Sequence, residues 1–392
     1  MHVGLNLIFL VPGETGGMEV VARELIPELV ARAPEVRFTA FVNREAAAAA
    51  DGPWGELIPA VTVPVNARNR VQWVLGEQAL LPVLAARAGV DLVHSLASTA
   101  PMWGRFRRVV TVHDLIYARF PDTHAGLRDK GMRVLVPGAI RRSDRVTADS
   151  RSTRDDLVAL LGIDPARIDV VPLGLGSVRR AAPLGERALR ERLQLGERAV
   201  VLSLSAKRPH KNLLALIGAL AMLPAASSPA ASARGDGERR PVLVLPGYPT
   251  AYESELRARA AELGVAADVR FPAWLSSEEL EGLWSIARAF VFPSLYEGFG
   301  LPVLEAMARG VPVACSNASS LPEVAGDAAL LFDPHDERAI AAALSRLLAD
   351  EALRERLRAL GREQAQRFTW GRTARLMLDS YARALGFDWL HP

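Results

Sequence analysis

The chain has 392 residues, of which 50% are hydrophobic and 23% are charged. This composition excludes disordered, collagenous and coiled-coil proteins, and the length favours two domains because single hydrophobic cores rarely grow so large. A formal net charge of +3 is too small to indicate a nucleic-acid partner by itself. The single cysteine, Cys315, excludes an internal disulfide framework and suits a reducing cytoplasm.

The amino-terminal residues 1–11 are apolar, but they lack the basic stretch and the small-residue cleavage site of a secretory signal. We expect them to form a buried strand over residues 3–11. No apolar run of the sequence reaches the roughly 18 residues that a membrane-spanning helix needs. The sequence therefore predicts a soluble, cytoplasmic protein.

Strands and helices are predicted to alternate through the first 176 residues. A helix over 18–33 carries Val21, Leu25 and Leu29 on one side, and Pro27 is expected to kink or divide it. Short β-rich runs then predict strands over residues 37–42, 90–95, 109–112, 145–148 and 169–171. Alternation of this kind is typical of a parallel, doubly wound sheet.

A second series of strands is predicted after an interruption at Pro172-Leu173-Gly174-Leu175-Gly176. The β-rich runs of this series cover residues 199–204, 242–245, 269–271, 289–292 and 311–315. We therefore predict an amino-terminal domain over 1–176, a linker region over 177–195 and a carboxy-terminal domain over 196–372. The last helix, 373–392, is expected to pack back on the first domain.

Glycines stand between the first strand and the first helix, in Pro12-Gly13-Glu14-Thr15-Gly16-Gly17-Met18-Glu19. Glycine lets a backbone approach a ligand closely, so Gly16 and Gly17 are candidate ligand contacts. The stretch is neither a complete G-x-G-x-x-G nor a phosphate-binding P-loop. A tight structural turn is the alternative interpretation.

Lysine is rare in this chain, which has 47 basic residues but only three lysines, Lys130, Lys207 and Lys211. Two of them lie close together in the segment 203–212, which follows the first predicted strand of the second domain. A lysine ammonium is a compact charge that suits a diphosphate. We take Lys207, Arg208 and Lys211 as candidate phosphate ligands, with a solvated surface turn as the alternative.

Two acids bracket a predicted helix terminus that follows the strand over 289–292. Glu297 lies in the loop, and Gly300-Leu301-Pro302 opens the helix whose first turn holds Glu305. Pro302 suits that turn because its missing N–H would be unpaired there. Such a terminus offers free amides and a favourable dipole to a phosphate. The dipole alone would stabilise Glu305 by about 0.3–1 kcal/mol, but this alternative leaves Glu297 without a role.

The segment Glu297-Gly298-Phe299-Gly300-Leu301-Pro302-Val303-Leu304-Glu305 resembles the E-x7-E motif of retaining glycosyltransferases with the GT-B fold, above all glycosyltransferase family 4. Phe292-Pro293-Ser294 and Leu321-Pro322-Glu323-Val324 are also similar to that family. The resemblance extends from the glycine loop to Phe368-Thr369-Trp370. It implies an α/β fold in which two Rossmann-like domains face each other across a cleft.

The resemblance also implies roles for individual residues. Glu297 would contact the donor sugar, Glu305 the ribose hydroxyls and Lys211 the pyrophosphate. His113, directly after the strand over 109–112, matches the histidine that lines the donor-sugar pocket in the family. The family's glycine-rich segments lie beside sugar and phosphate, and the matching residues here are Gly16, Gly17, Gly298, Phe299, Gly300 and Leu301.

This chain departs from the family pattern at one basic position. Many members carry an arginine six residues before the lysine, and here Ser205 stands there. Lys207 or Arg208 would therefore supply the second charge at the diphosphate. Asp155-Asp156 is not a D-x-D metal motif, and we expect neither a bound metal nor a cofactor.

These residues predict a retaining, metal-independent hexosyltransferase that uses a nucleotide-diphosphate sugar as donor, with His113, Glu297 and Lys211 as its catalytic residues. One alternative is a GT-B-fold sugar-nucleotide epimerase, which would turn over its donor without an acceptor. A nicotinamide dehydrogenase is a second alternative, although neither half carries a G-x-G-x-x-G after its first strand. A non-catalytic sugar-binding protein is the third.

The donor and the acceptor are predicted only by class. The segments 207–212 and 112–115 are similar to mannosyltransferase-like members, which makes GDP-mannose the first donor to test. The acceptor would be a hydroxyl of a glycan, a lipid-linked sugar or a small molecule. Basic residues between 101 and 154, close to the apolar residues 132–136, indicate an ordinary solvated helix face in an arginine-rich chain, with peripheral contact with the inner face of the cell membrane as the alternative.

Overall fold

The computed structural model describes residues 1–49, 52–120, 127–176, 181–224 and 240–386, with side chains left undescribed for 127–130. The chain divides into two compact units. The first unit comprises Met1–Ser177 and Phe368–Pro392, and the second comprises Val178–Arg367. The first four residues of the predicted linker, 177–180, and the chain end 387–392 lie outside the described residues.

The first unit is built on seven parallel strands. In chain order they are β1 His2–Leu7, β2 Arg37–Val42, β3 Ala60–Thr62, β4 Leu92–Ser95, β5 Arg107–Val112, β6 Arg145–Ala148 and β7 Ile168–Val170. Their order across the sheet is β3-β2-β1-β4-β5-β6-β7. The chain order reverses between β1 and β4, and such reversals create the crevice in which α/β sheets bind ligands.

Helices accompany the strands of this unit. They span Gly17–Arg32, Arg44–Ala48, Pro53–Glu56, Arg70–Leu75, Leu81–Ala88, Ile116–Arg119, Leu127–Arg142, Arg151–Leu161 and Trp370–Leu385, with a π-helical turn at Gly76–Leu80 and a 3₁₀ turn at Pro165–Arg167. Helix Gly17–Arg32 runs through Pro27 as one element, so the expected division does not occur. It packs against the last helix, Trp370–Leu385, within this unit.

Buried polar contacts also attach the last helix to the sheet. The Tyr381 hydroxyl lies 2.7 Å from His94 Nδ1, and Ser380 Oγ donates to Asp169 Oδ2 over 2.7 Å. Burial lowers the pKa of His94 to about 3, so this histidine is neutral at pH 7. Hydrogen bonds as well as apolar packing therefore hold the last helix against the first sheet.

The second unit holds six parallel strands. They are β8 Val200–Leu202, β9 Val242–Val244, β10 Val269–Arg270, β11 Ala287–Phe292, β12 Val313–Ser316 and β13 Ala329–Phe332, in the order β10-β9-β8-β11-β12-β13. Its helices span Glu186–Leu193, Leu213–Met222, Glu253–Glu262, Ser277–Ile286, Leu301–Ala308, Leu321–Ala325, Glu337–Ala349 and Glu351–Gln366, with 3₁₀ turns at Pro209–Lys211, Ala266–Asp268 and Gly326–Ala328. Here the chain order reverses between β8 and β11.

The predicted first strand, residues 3–11, is too long. The strand ends at Leu7, because the Ile8 N–H bonds to the side chain of Asn6 rather than to a neighbouring strand (3.2 Å). The Asn43 side chain then binds the carbonyls of Ile8 and Leu10. Side-chain hydrogen bonds of this kind compete with strand pairing.

Among the described residues, no helix combines the length and the apolar character that crossing a bilayer requires.

Candidate functional site

An ion pair lies where the chain order of the second sheet reverses. The segment after β8 carries Lys211 and the loop after β11 carries Glu297, and their Nζ and Oε1 atoms are 2.7 Å apart. The Lys211 side chain is 15% exposed and that of Glu297 is 11% exposed. Because the two residues follow neighbouring parallel strands, the fold brings these two predicted site residues together at one sheet edge.

The loop that carries Glu297 is held by two serines from the connection after β12. The Glu297 N–H donates to Ser319 Oγ over 2.9 Å. Ser320 Oγ donates to the carbonyls of Glu297 and Phe299, at 3.0 and 2.7 Å. Ser319 has a left-handed backbone, with φ of 51°. Three hydrogen bonds therefore fix the backbone of the loop, so that the carboxylate is presented by a rigid support.

Lys211 is fixed in a similar way by the residue that follows it. Asn212 has a φ of 57° and donates from Nδ2 to the carbonyls of Pro293 and Pro334, at 3.1 and 2.7 Å. The Leu295 N–H donates to the His210 carbonyl over 2.9 Å. Asparagine tolerates the left-handed region better than most residues. The lysine segment and the glutamate loop are therefore tied together by backbone contacts as well as by the ion pair.

The helix Leu301–Ala308 begins directly after this loop, as predicted. Gly300 precedes it with a φ of 116°, and no side chain of the described residues caps the amino terminus. A Cβ atom at Gly300 would stand 2.7 Å from Leu321 Cδ2, so both backbone angle and space require glycine there. Pro302 lies in the first turn. The uncapped amides of this terminus are available to an anion.

Glu305 lies one turn into the same helix and is half-buried. Burial raises the pKa of its carboxyl; Arg309 acts in the opposite direction and Glu281 adds to the rise. Arg309 is paired with Glu281 instead, at 2.5 Å. In the part of the chain that the structure describes, the Glu305 carboxylate accepts no hydrogen bond and forms no ion pair. It is therefore open to hydroxyl donors from a ligand.

Lys207 does not share this position in the structure, and its predicted contact with a phosphate remains a prediction. The Lys207 side chain is completely buried, and Nζ lies 2.8 Å from the Gly247 carbonyl and 3.0 Å from Glu253 Oε2. The buried Lys207 ammonium therefore links the segment after β8 to the segment after β9, which carries Gly247 and Glu253. Arg208 is exposed, and its contact with a phosphate remains a prediction.

Two side chains of the glycine loop in the first unit accept hydrogen bonds from backbone amides at the start of the loop. The Gly13 N–H donates to Glu19 Oε2 over 2.7 Å, and the Val11 N–H donates to Thr15 Oγ1 over 2.7 Å. Gly16 has φ and ψ of 67° and −134°, a combination that only glycine adopts readily. A Cβ atom on Gly16 or Gly17 would meet nothing within 4 Å, so there is free space beside the loop.

His113 is held from both sides of its ring at the end of β5. Nδ1 lies 2.7 Å from Asp149 Oδ2 and Nε2 lies 2.8 Å from the Leu96 carbonyl. Burial favours the neutral ring, but the Asp149 carboxylate and the Leu96 carbonyl outweigh it and raise the pKa of His113 to about 9. Because a carbonyl and an ionised carboxylate only accept, both ring nitrogens carry protons. A contact between the ring and a sugar would replace one of these bonds, and it remains a prediction.

Several residues that hold the site are absent from the sequence predictions. Ser319, Ser320 and Asn212 support the loops, and Asp149 supports His113. Ser320 could have been predicted as a site residue, because it directly precedes the family-like motif that starts at Leu321. Within the described ranges, no group of three or more His, Cys, Asp or Glu side chains is arranged to hold a metal ion.

The two parallel sheets are those of known GT-B proteins. The chain is similar to sucrose-phosphate synthase from Thermosynechococcus elongatus, with a TM-score of 0.74 and 21% identity, covering 97% of this chain and 98% of that one. It is also similar to the Anabaena protein HepE in complex with UDP and glucose, with a TM-score of 0.71 and 20% identity, covering 97% and 99%. The predicted GT-B fold class is confirmed.

Comparison of sequences gives the family. The model "Glycosyltransferase Family 4" matches residues 15–176, and "Glycosyl transferases group 1" matches residues 186–364. O-antigen chain mannosyltransferase B of Escherichia coli is 32% identical over 279 residues, which are 70% of each chain. The chain therefore belongs to glycosyltransferase family 4, as its motifs predicted, and it is a glycosyltransferase.

Proposed function

We propose that this chain is a retaining hexosyltransferase that moves a hexose from a nucleotide-diphosphate sugar to a hydroxyl of a glycan, a lipid-linked sugar or a small molecule. The observation that carries the proposal is the 2.7 Å pair of Lys211 and Glu297 beside the uncapped helix terminus at Leu301. A cation and free helix amides bind a diphosphate, and a carboxylate accepts hydrogen bonds from the hydroxyls of the attached sugar.

The division of roles follows from the chemistry of each group. The Lys211 ammonium and the amides at Gly300 and Leu301 face the diphosphate and stabilise the negative charge that grows as the sugar leaves. Glu297 accepts hydrogen bonds from sugar hydroxyls, and Glu305, which is unpaired within the described residues, accepts them from the ribose. Gly298 and Phe299 contribute backbone contacts to the sugar.

Retention of configuration requires that departure and attack take place on the same face of the sugar. The bond from the anomeric carbon to the diphosphate oxygen breaks, and a bond from that carbon to the acceptor oxygen forms. The acceptor proton passes to the departing diphosphate. We propose that Lys211 and the helix amides supply the positive charge for this step without a bound metal.

Mannose is the first donor sugar that we propose, with GDP as its nucleotide. Its support is the similarity to an O-antigen chain mannosyltransferase. A pair of exposed aromatic rings at the carboxyl edge of the second sheet offers a stacking surface to the base. Trp274, 66% exposed, and Tyr248, 59% exposed, have ring centroids 5.1 Å apart.

A lipid-linked acceptor, reached from the cytoplasm by peripheral contact with the membrane, is part of the proposal. Its support is a set of exposed apolar residues on the first unit, one of which has a basic neighbour in sequence. Val134 is 70% exposed on helix Leu127–Arg142, next to Arg133, and Trp103 is 52% exposed. Apolar side chains among basic ones suit a surface of anionic lipids.

Acceptor dependence tests the reaction class. Purified protein is supplied with GDP-mannose, and separately with UDP-, ADP- and dTDP-hexoses, with and without a pool of mannosyl acceptors. We expect release of nucleoside diphosphate and a glycosylated product only when the acceptor is present, at equal rates with and without EDTA. Isomerisation of the donor in the absence of acceptor would identify the epimerase instead.

A further inference from the structure

A buried carboxyl group lies where the first sheet reverses its chain order. Asn6 and Ser95 are paired at the carboxyl ends of β1 and β4. Asn6 Nδ2 donates to Ser95 Oγ over 3.0 Å and to Glu77 Oε1 over 2.9 Å. Glu77, only 2% exposed, therefore joins the two strands at the sheet edge where α/β folds place their ligands.

The backbone around Glu77 is unusual. The residue lies in the π-helical turn Gly76–Leu80, between helices Arg70–Leu75 and Leu81–Ala88. A Cβ atom on Gly76 would stand 2.9 Å from a methyl group of Val65, so the turn packs tightly on its neighbour. π-helical turns are rare and occur frequently at functional sites. This turn directs Glu77 inward.

Three donors surround the Glu77 carboxyl. Besides Asn6, Thr99 Oγ1 donates to Oε1 over 3.0 Å and Gln78 Nε2 donates to Oε2 over 3.2 Å. Burial raises the pKa of Glu77, and these hydrogen bonds oppose the rise. A carboxyl group is expensive to bury, and an apolar side chain would fill the same space at lower cost.

The neighbour Gln78 extends these contacts along the loop between β4 and β5. Gln78 Nε2 donates to the Ala100 carbonyl over 2.9 Å, and Oε1 accepts from the Met102 N–H over 3.1 Å. The Gln78 carbonyl accepts from Trp103 Nε1 over 2.5 Å. Together with the bond from Thr99 to Glu77, these contacts hold the loop 96–103 on the π-helical turn.

The other end of that loop holds His113. The Leu96 carbonyl accepts from Nε2 of the His113 ring over 2.8 Å. We infer that Glu77 is a positioning residue, which fixes the loop 96–103 and, through the Leu96 carbonyl, the ring of His113. The effect on catalysis rests on the proposed function, whereas the effect on the His113 ring does not.

The state of the His113 ring is the direct readout. The titratable groups that act on it are Asp149, Asp114 and His94. Glu77 is not among them, so its substitution does not act directly on the pKa of the ring. A change in the pKa of His113 after substitution of Glu77 therefore reports movement of the Leu96 carbonyl.

The test compares Glu77→Gln and Glu77→Ala with the wild-type chain by NMR titration of labelled histidine rings and by steady-state kinetics. We expect the His113 midpoint to fall from about 9 towards the ordinary histidine value of about 6.5. We expect kcat to fall about ten- to a hundredfold, and the KM for the donor to stay within about twofold, because Lys211 and Glu305, which we assign to the diphosphate and the ribose, lie in the second unit. His113→Gln identifies the resonance.

Asp169→Asn is the matched control, because Asp169 is another buried carboxylate of the same unit, bonded to Arg145 and Ser380. It should lower the melting temperature without moving the His113 midpoint. An unchanged midpoint in folded Glu77→Gln overturns the inference, whatever happens to kcat. If no variant and no wild-type chain transfers sugar, the proposed function fails while the titration still decides the role of Glu77.

Discussion

Replacement of Lys211 by alanine should lower kcat/KM for sugar transfer by about a hundred- to a thousandfold, as loss of a principal transition-state charge contact does in other enzymes. The variant loses the ammonium that we assign to the leaving diphosphate. It also leaves the Glu297 carboxylate, 11% exposed, without its cation, which should lower the free energy of unfolding by about 1–3 kcal/mol. Steady-state kinetics and denaturant unfolding measure the two effects.

A double variant separates catalysis from stability. In Lys211→Met with Glu297→Gln, neither partner leaves a buried charge, so the double variant should regain most of the lost stability. Transfer should be as low as in Lys211→Ala or lower, because Glu297→Gln also removes the carboxylate that we assign to the sugar. Recovery of transfer together with stability would contradict the roles assigned to both residues, because the pair would then serve the fold alone.

Replacement of Glu297 by glutamine should lower kcat by about a hundredfold or more, while the KM for the donor changes little. The backbone of its loop is held by Ser319 and Ser320, so the substitution changes the charge at the sugar without moving the loop. The diphosphate contacts with Lys211 and the helix amides remain. Initial rates at saturating acceptor, with the donor varied, measure the two constants separately.

Glu262→Gln is the control for the change of charge. Glu262 is exposed on the same unit and pairs with Arg259, at 3.1 Å. Exposed pairs of this kind contribute little, so the control should keep transfer within about twofold. Equal losses in the two variants, or a Glu297→Gln variant with full kcat, would remove Glu297 from the reacting centre.

The central strands of both sheets could be predicted because buried parallel strands are short apolar runs with β-branched residues. Two strands were not predicted from the sequence, β3, Ala60–Thr62, and β13, Ala329–Phe332. Each is an outermost strand of its sheet. β3 is half-exposed and three residues long, so its pattern differs little from that of a loop. The overlong first strand had a different cause, the side chain of Asn6, which no hydrophobic pattern reports.

The candidate site could be predicted in part. Strand, loop and helix signals placed Glu297 and Glu305, but the ion pair joins residues 86 positions apart and depends on the order of the strands. Lys207 and Lys211 share the same compositional signal, and only the tertiary environment separates them. Lys207 is buried and bonded to Glu253 and Gly247, whereas Lys211 lies at the carboxyl edge of the sheet. The charged state of His113 likewise depends on Asp149, which follows another strand.

We expect the carboxyl edge of the second sheet, between Lys211 and Glu305, to bind a nucleotide-diphosphate sugar. The most direct test is the thermal unfolding of the wild-type chain and of Glu305→Ala with GDP-, UDP-, ADP- and dTDP-sugars. A donor at a hundred times its Kd should stabilise the wild-type chain by about 2.7 kcal/mol, and the variant clearly less at the same concentration. No stabilisation by any of these donors, or equal stabilisation of the variant, would contradict the claim.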